Sequence, residues 1–203
     1  MSARDDHAGP GVAAVRPAKD IELRLLRFAH DGTVPNNPDL PVVMMRDAVE
    51  PGAPPEAMPA RLEASGWSGV WVWRVFPYHH YHPNAHEALA VATGRAALTL
   101  GGPQGEKVEV GVGDVLVLPA GTGHRQIEAS ADFAVGGAYP PGQEGYETVR
   151  AERLHGGATL ARIAAVPRPR TDPLDGVDGP LMSAWSAGGL PTNPSGPCGA
   201  GAV

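Results

Sequence analysis

The chain of 203 residues is poor in several features that would announce a function. It carries one cysteine, Cys198, set among glycine and proline near the C-terminus, so an intramolecular disulfide framework is excluded and no catalytic thiol is indicated. Lysine occurs only at Lys19 and Lys107, and the formal net charge is −6. A chain so short of cations lacks the footprint that meets nucleic-acid phosphates, and the small group Arg162, Arg168 and Arg170, broken up by prolines, reads as solvated surface. No apolar run reaches the roughly 18 residues needed to cross a bilayer. Residues 1–19 lack the basic start and apolar stretch of a secretion signal, which makes the cytoplasm the expected location, with no membrane partner. Neither a nucleophilic triad nor an internal repeat is visible.

Glycine and proline, at 27 and 22, are plentiful, and the hydrophobic fraction of 42% is ordinary for a globular chain. That combination suits short strands joined by tight turns rather than a helical bundle. Period-two or apolar runs predict strands at residues 21–28, 42–45, 70–76, 88–93, 96–100, 107–110, 115–118, 124–127 and 133–135. Helix-like spacing appears at 55–65 and 158–165. The expected class is all-β, a sandwich or barrel of the jelly-roll kind with one or two short flanking helices. Residues 1–19 and 187–203, rich in Gly, Pro and small side chains, are expected to be disordered tails around one domain at 20–186.

Histidine is concentrated. Four of the eight histidines fall in the run His79-His80-Tyr81-His82-Pro83-Asn84-Ala85-His86, and Glu87 follows. The strand period puts His80 and His82 on one face and turns His79 and Tyr81 to the other. A further histidine, His124, closes the apolar strand and Gly-rich turn of residues 113–124. Neutral imidazole and carboxylate are good ligands for divalent first-row metals. Two histidines, a nearby carboxylate and a third histidine from another strand therefore make a plausible cage with open positions for substrate or oxygen.

The spacing His80-x-His82, four residues to Glu87 and six more to Gly94 resembles the first motif of the cupin superfamily, and Gly113, Pro119, Gly121 and His124 resemble the second. From Trp67 through Gly101-Gly102 to Gly137-Ala138-Tyr139-Pro140 the chain resembles the YjlB-like bacterial cupins. The likeness takes in Pro35-Asn36-Asn37 upstream, and Asp172-Pro173-Leu174 and Gly179-Pro180-Leu181 downstream. It implies a double-stranded β-helix, the cupin jelly roll, with motif 1 at about 74–94, motif 2 at about 113–128 and a C-terminal strap at 166–186. It also implies His80, His82, Glu87 and His124 as ligands of one divalent ion (Fe, Mn, Zn or Ni), a small-molecule ligand, and a homodimer. Three departures stand out. Arg74 replaces the glycine that usually opens the first motif, Glu128 stands where the second often ends in asparagine, and His86 occupies an alternative position for the carboxylate ligand, so either Glu87 or His86 can complete the set.

Other residues have two readings each. Tyr78, Tyr81 and Tyr139 either turn a hydroxyl into a pocket or simply pack. Trp67, Trp71 and Trp73 are expected to bury apolar area, Asp114 to bond a turn, His79 to face outward, and Gln126, which shares the parity of His124, to face the pocket. Two functions follow. One is a mononuclear metal enzyme on a small polar molecule, oxygenase-like or isomerase-like, with His86 as the acid–base candidate because imidazole exchanges a proton near neutral pH. The other is a non-catalytic cupin that binds a small ligand or uses its metal structurally. A cavity beside the ligands separates the two, since a structural ion is closed off.

Overall fold

The computed structural model describes residues 11–151 and 156–186. The strands are β1 (Glu22–Leu26), β2 (Val42–Arg46), β3 (Ser68–Trp73), β4 (His80–Tyr81), β5 (Glu87–Thr93), β6 (Arg95–Leu100), β7 (Glu106–Gly111), β8 (Val115–Leu118), β9 (His124–Ala129), β10 (Ala134–Tyr139) and β11 (Val149–Arg150). Three short helices accompany them: α1 (Ala57–Ala64), α2 (Gly157–Ala164) and α3 (Pro180–Ala184). One sheet has the order β1-β2-β8-β5-β10-β3 and the other β11-β4-β9-β6-β7, with neighbours such as β5 and β8 or β6 and β9 antiparallel. Two antiparallel sheets whose neighbours are mostly not consecutive in sequence make the expected all-β jelly roll.

Side-chain alternation decides what each sheet buries. Val42 and Met44 of β2, Leu89 and Val91 of β5 and Leu116 and Leu118 of β8 meet Leu98, Leu100, Val108 and Val110 from the opposite sheet. The intervening residues Val43, Met45, Ala88, Ala90, Val115 and Val117 form the other face, covered by Leu62, Trp67, Leu181 and Trp185. The central strands of the first sheet, β2, β8 and β5, are thus buried on both faces, which is why β8 reads as an unbroken apolar run; each large side chain so buried contributes about 1.5–3 kcal/mol. Alanines at 88, 90 and 92 allow α1 to lie against β5. Gly94 joins β5 to β6 at φ +67°, where an added Cβ would fall 2.8 Å from the Phe133 backbone, so only glycine fits.

One expectation needs correction. Residues 11–19, assigned by composition to a disordered tail, are held in place. Ala13 donates its N–H to Ala57 O (3.1 Å), the Arg61 guanidinium donates to Ala13 O (2.8 and 2.7 Å), and Val15 bridges Val49. Main-chain pairing, to which composition is blind, fixes this segment. The remaining tail residues, 1–10 and 187–203, lie outside the described residues. Three short α-helices flank the sheets among the described residues, together with one 3-10 turn at Ala18–Asp20. α3 forms because Pro180 occupies its first turn, where the missing N–H costs nothing, and because Asp172 accepts the Leu181 N–H at 2.8 Å. No helix among the described residues is long and apolar enough to cross a membrane.

Candidate metal centre

The pairing of β4 with β9 sets His80 directly opposite His124. Their ring centroids are 4.0 Å apart, and His82 lies 5.6 Å from one and 5.7 Å from the other. One nitrogen from each ring falls within 4.8 Å of the others, and all three side chains are buried. Glu87 opens β5 in the other sheet, on the same face as Leu89 and Val91. Its Oε2 lies 3.4 Å from His82 Nε2 and 3.3 Å from His124 Nε2.

The main chain fixes which nitrogen of each ring is free. His80 Nδ1 lies 3.1 Å from Tyr78 O, His82 Nδ1 2.7 Å from Glu147 O, and His124 Nδ1 3.0 Å from Thr122 O. A carbonyl only accepts, so each Nδ1 carries a proton, and a ring in its neutral form presents its Nε2 lone pair. At His82 and His124 that lone pair faces Glu87 Oε2, which is buried and has no hydrogen-bond partner. Lone pairs so juxtaposed repel unless positive charge sits among them, and a divalent cation is what an imidazole–carboxylate set accepts. The donor set therefore fits a metal ion. Without one, the charges respond as expected. Burial, helped by His124 and His82, holds His80 neutral with its pKa lowered to about 2. Burial would lower His82 as well, but the adjoining Glu87 carboxylate and the Glu147 carbonyl raise it. Burial works to raise Glu87, yet His82 and His124 hold it well below the usual carboxylate range.

Glu87 Oε1 is occupied elsewhere. Tyr139 donates its hydroxyl to it at 3.0 Å, and Trp71 Nε1 donates to the Tyr139 oxygen at 2.9 Å. The carboxylate is thereby divided, one oxygen tied to the barrel wall and the other left toward the histidines. Burial first, then the Glu87 charge, pushes the Tyr139 pKa up, so the hydroxyl stays protonated. Tyr146 stacks on Tyr139 with centroids 4.2 Å apart and meets His82 edge-on at 4.9 Å.

His86 does not join this group. It precedes Glu87 by one residue and so points to the opposite face, where its Nδ1 accepts the Ala120 N–H at 2.9 Å and its ring packs against Trp185. Burial lowers its pKa to about 4, against the opposing pull of the Pro167 and Val166 carbonyls. It neither completes the ligand set nor reaches the cavity, and the expectation of a catalytic His86 is withdrawn on geometry. Gln126 is also absent from the cavity wall. Its backbone N–H donates to Phe76 O at 2.9 Å, and Phe76 takes the wall in its place. His79 stands outside the cluster, as strand alternation anticipates. Asp114 bonds its turn, accepting from Gly111 N, Asp47 N and Arg46.

The cluster opens onto a cavity of about 240 Å³. Beyond the four polar residues its walls are Trp71, Val75, Leu89 and Tyr139, with Trp73, Arg74, Phe76 and Tyr146 also lining it. Three of the latter are exposed aromatics, Trp73 (67%), Phe76 (40%) and Tyr146 (39%), which marks them as the lip. Trp73 is not the buried residue its composition suggests, because β3 is the edge strand and Trp73 sits at its end.

A cupin-domain profile matches residues 73–134. The Bacillus subtilis protein YjlB is 37% identical over 164 residues, which is 81% of this chain and 97% of YjlB. The chain belongs to the YjlB-like cupins. Solved structures similar to this cupin include a Klebsiella pneumoniae protein with a double-stranded β-helix domain (15% identity, 75% of this chain and 100% of that one, TM-score 0.34). Another is the acireductone dioxygenase of Bacillus anthracis, which carries a cadmium ion in its active centre (17% identity, 46% of this chain and 62% of that one, TM-score 0.33). At those similarities neither bears on the site or the reaction.

In this YjlB-like cupin the frame around the ligands uses residues that the sequence marks only as part of the family likeness, without a role. Asn36, buried, donates to Ala29 O (2.7 Å) and Gly101 O (3.0 Å) and accepts from Gly123 N (3.1 Å). Asn37 donates to Ala120 O, and Gly121 N donates to His82 O at 2.8 Å. The turn that delivers His124 is thus bolted both to the upstream Pro35-Asn36-Asn37 segment and to the main chain of His82. The visible signal was the asparagine pair itself, since buried asparagine is uncommon without a full set of partners.

Proposed function

We propose that this cupin is a mononuclear divalent-metal enzyme, with His80, His82, His124 and Glu87 as protein ligands and the adjoining cavity as its substrate site. One observation carries the reading. Three buried imidazoles, each with its Nδ1 on a main-chain carbonyl, converge within 4.8 Å, two of them face the Glu87 Oε2 atom at 3.3–3.4 Å, and the group borders open space. A structural ion is normally closed in by its ligands, so the cavity favours catalysis over a purely structural role. Iron, manganese, zinc and nickel all accept such a set; when bound, the ion supplies Lewis acidity and, if it is iron, oxygen activation.

The chain's own groups narrow the chemistry. Isomerase-like reactions need a side chain that takes and returns a proton; His86 faces away and the Tyr139 hydroxyl is committed to Glu87 and held protonated, which leaves the Tyr146 phenol, stacked at the lip, as the remaining hydroxyl among the described lining residues. Oxygenase-like chemistry makes no such demand and is the preferred class. Tyr139 and Trp71 orient the carboxylate, while Val75 and Leu89 keep water from the floor of the site. The mostly apolar walls replace the expectation of a small polar substrate with one of a small molecule whose carbon body is in contact with the walls.

Elemental analysis of protein purified without added metal is the direct test. One equivalent of a first-row metal is expected in the wild type and little in His82→Ala or His124→Ala. Equal metal content in all three would refute the assignment. Bound iron together with ligand-dependent oxygen uptake would establish the oxygenase class; bound zinc would point away from it.

A further inference from the structure

Arg74 is the cavity residue that the metal-centre reading leaves unused. It stands at the end of β3 in the position where the first cupin motif usually opens with glycine, and it lines the cavity among exposed aromatics. One of its guanidinium nitrogens donates to the main-chain carbonyls of Ser130 and Ala131, which anchors the side chain without neutralising it. Among the described residues no carboxylate lies within the 4.0 Å of an ion pair, although Asp132 feels its charge. Among the described residues that line the cavity it is the only arginine or lysine, and the only carboxylate, Glu87, faces the histidines. A guanidinium in this setting is a ready hydrogen-bond donor to a carboxylate or similar planar anion.

The other walls specify the body of the ligand. Trp71 is fixed by its hydrogen bond to Tyr139 and by Gly137, where any Cβ would run into the indole. Phe76 stacks with Tyr78 at 4.9 Å and meets His80 edge-on at 5.1 Å. Tyr146 is likewise held by stacking. Held rings around about 240 Å³ suit one flat ring with its substituents rather than a chain or a sugar, because aromatic faces and edges prefer to meet another π system.

We propose that the cavity takes a monocyclic aromatic acid, its ring against the aromatic walls and its acid group on Arg74. This substrate class deepens the metal-centre reading and rests on it for the chemistry, but recognition is assigned to residues that are not ligands.

Tryptophan-fluorescence titration with benzoate, benzyl alcohol and acetate, on metal-loaded and on chelator-treated protein, separates the possibilities. Benzoate should bind about tenfold tighter than either its neutral analogue or the ringless acid. Arg74→Gln should bring benzoate down to the level of benzyl alcohol, Arg74→Lys should keep part of the preference, and Phe76→Leu should weaken both ring probes, all with unchanged metal content. The preference for benzoate over benzyl alcohol should survive removal of the metal. If metal removal erases it while Arg74→Gln leaves it intact, the acid sits on the ion and the assignment to Arg74 is overturned. Acetate binding as tightly as benzoate would overturn the aromatic class. Absence of metal in the purified wild type would count against the metal centre alone, because the probe ranking is read independently in metal-free protein.

Discussion

His86 and Glu87 are adjacent, both buried and both titratable, yet their surroundings have nothing in common. Glu87 shares a face with Leu89 and Val91 and meets two imidazoles beside open space; His86 shares the opposite face with Ala88 and Ala90 and is sealed between the Ala120 amide and Trp185. One step along a strand separates a group placed to bind from a group placed to hold a turn. Burial and a shifted pKa mark both, so neither property by itself identifies chemistry; the direction in which the side chain points does.

The comparison breaks most sharply on metal content. Glu87→Ala should cost most or all of the bound ion, whereas His86→Ala should keep a full equivalent by elemental analysis; the reverse result would exchange their roles. Next in size is a pH effect confined to the outward face. Burial lowers the native pKa of His86 to about 4, below the unfolded value near 6.5, so the unfolded chain takes up the proton first. Stability is therefore full above about pH 6.5 and falls as the pH drops toward 4, by roughly 3 kcal/mol from this residue. Urea midpoints of metal-free protein at stepped pH should show that decline blunted in His86→Asn; parallel curves would contradict it. At neutral pH, His86→Ala should destabilise by about 2 kcal/mol, since it leaves the Ala120 N–H buried without a partner and a void beside Trp185. The smallest change is expected on the inward face at one remove. Tyr139→Phe frees Glu87 Oε1 and should weaken metal affinity about tenfold in a competition titration, with about 1 kcal/mol of stability lost because Glu87 Oε1 and Trp71 Nε1 lose their common partner. Unchanged affinity would mean the carboxylate needs no external hold.

Much of this was readable in the amino-acid order because the relevant constraints are local. Gly94, Gly113 and Gly121 all adopt positive φ at turns, and the distances from those turns to His82, Glu87 and His124 are set by short strands. Whether Glu87 or His86 points inward was also written there, in the larger side chains at 89 and 91 against alanine at 88 and 90, although spacing to the histidines alone leaves it open. Tyr139 was harder: it reaches Glu87 across 52 residues, and nothing near it in the chain distinguishes a tyrosine that bonds a ligand from one that packs. β11 has two residues and no pattern of its own, existing only because β4 is there to pair with. The placement of residues 11–19 rests likewise on main-chain partners that no side-chain pattern can foretell.

The protons on the three imidazoles are set by Tyr78 O, Thr122 O and Glu147 O, atoms that every amino acid possesses. Side-chain replacement at positions 78, 122 or 147 therefore leaves the orientation of the donor nitrogens untouched as long as the backbone path is kept. Mutational drift around the histidines can reshape the cavity and change what enters it without dismantling the electronic arrangement at its floor.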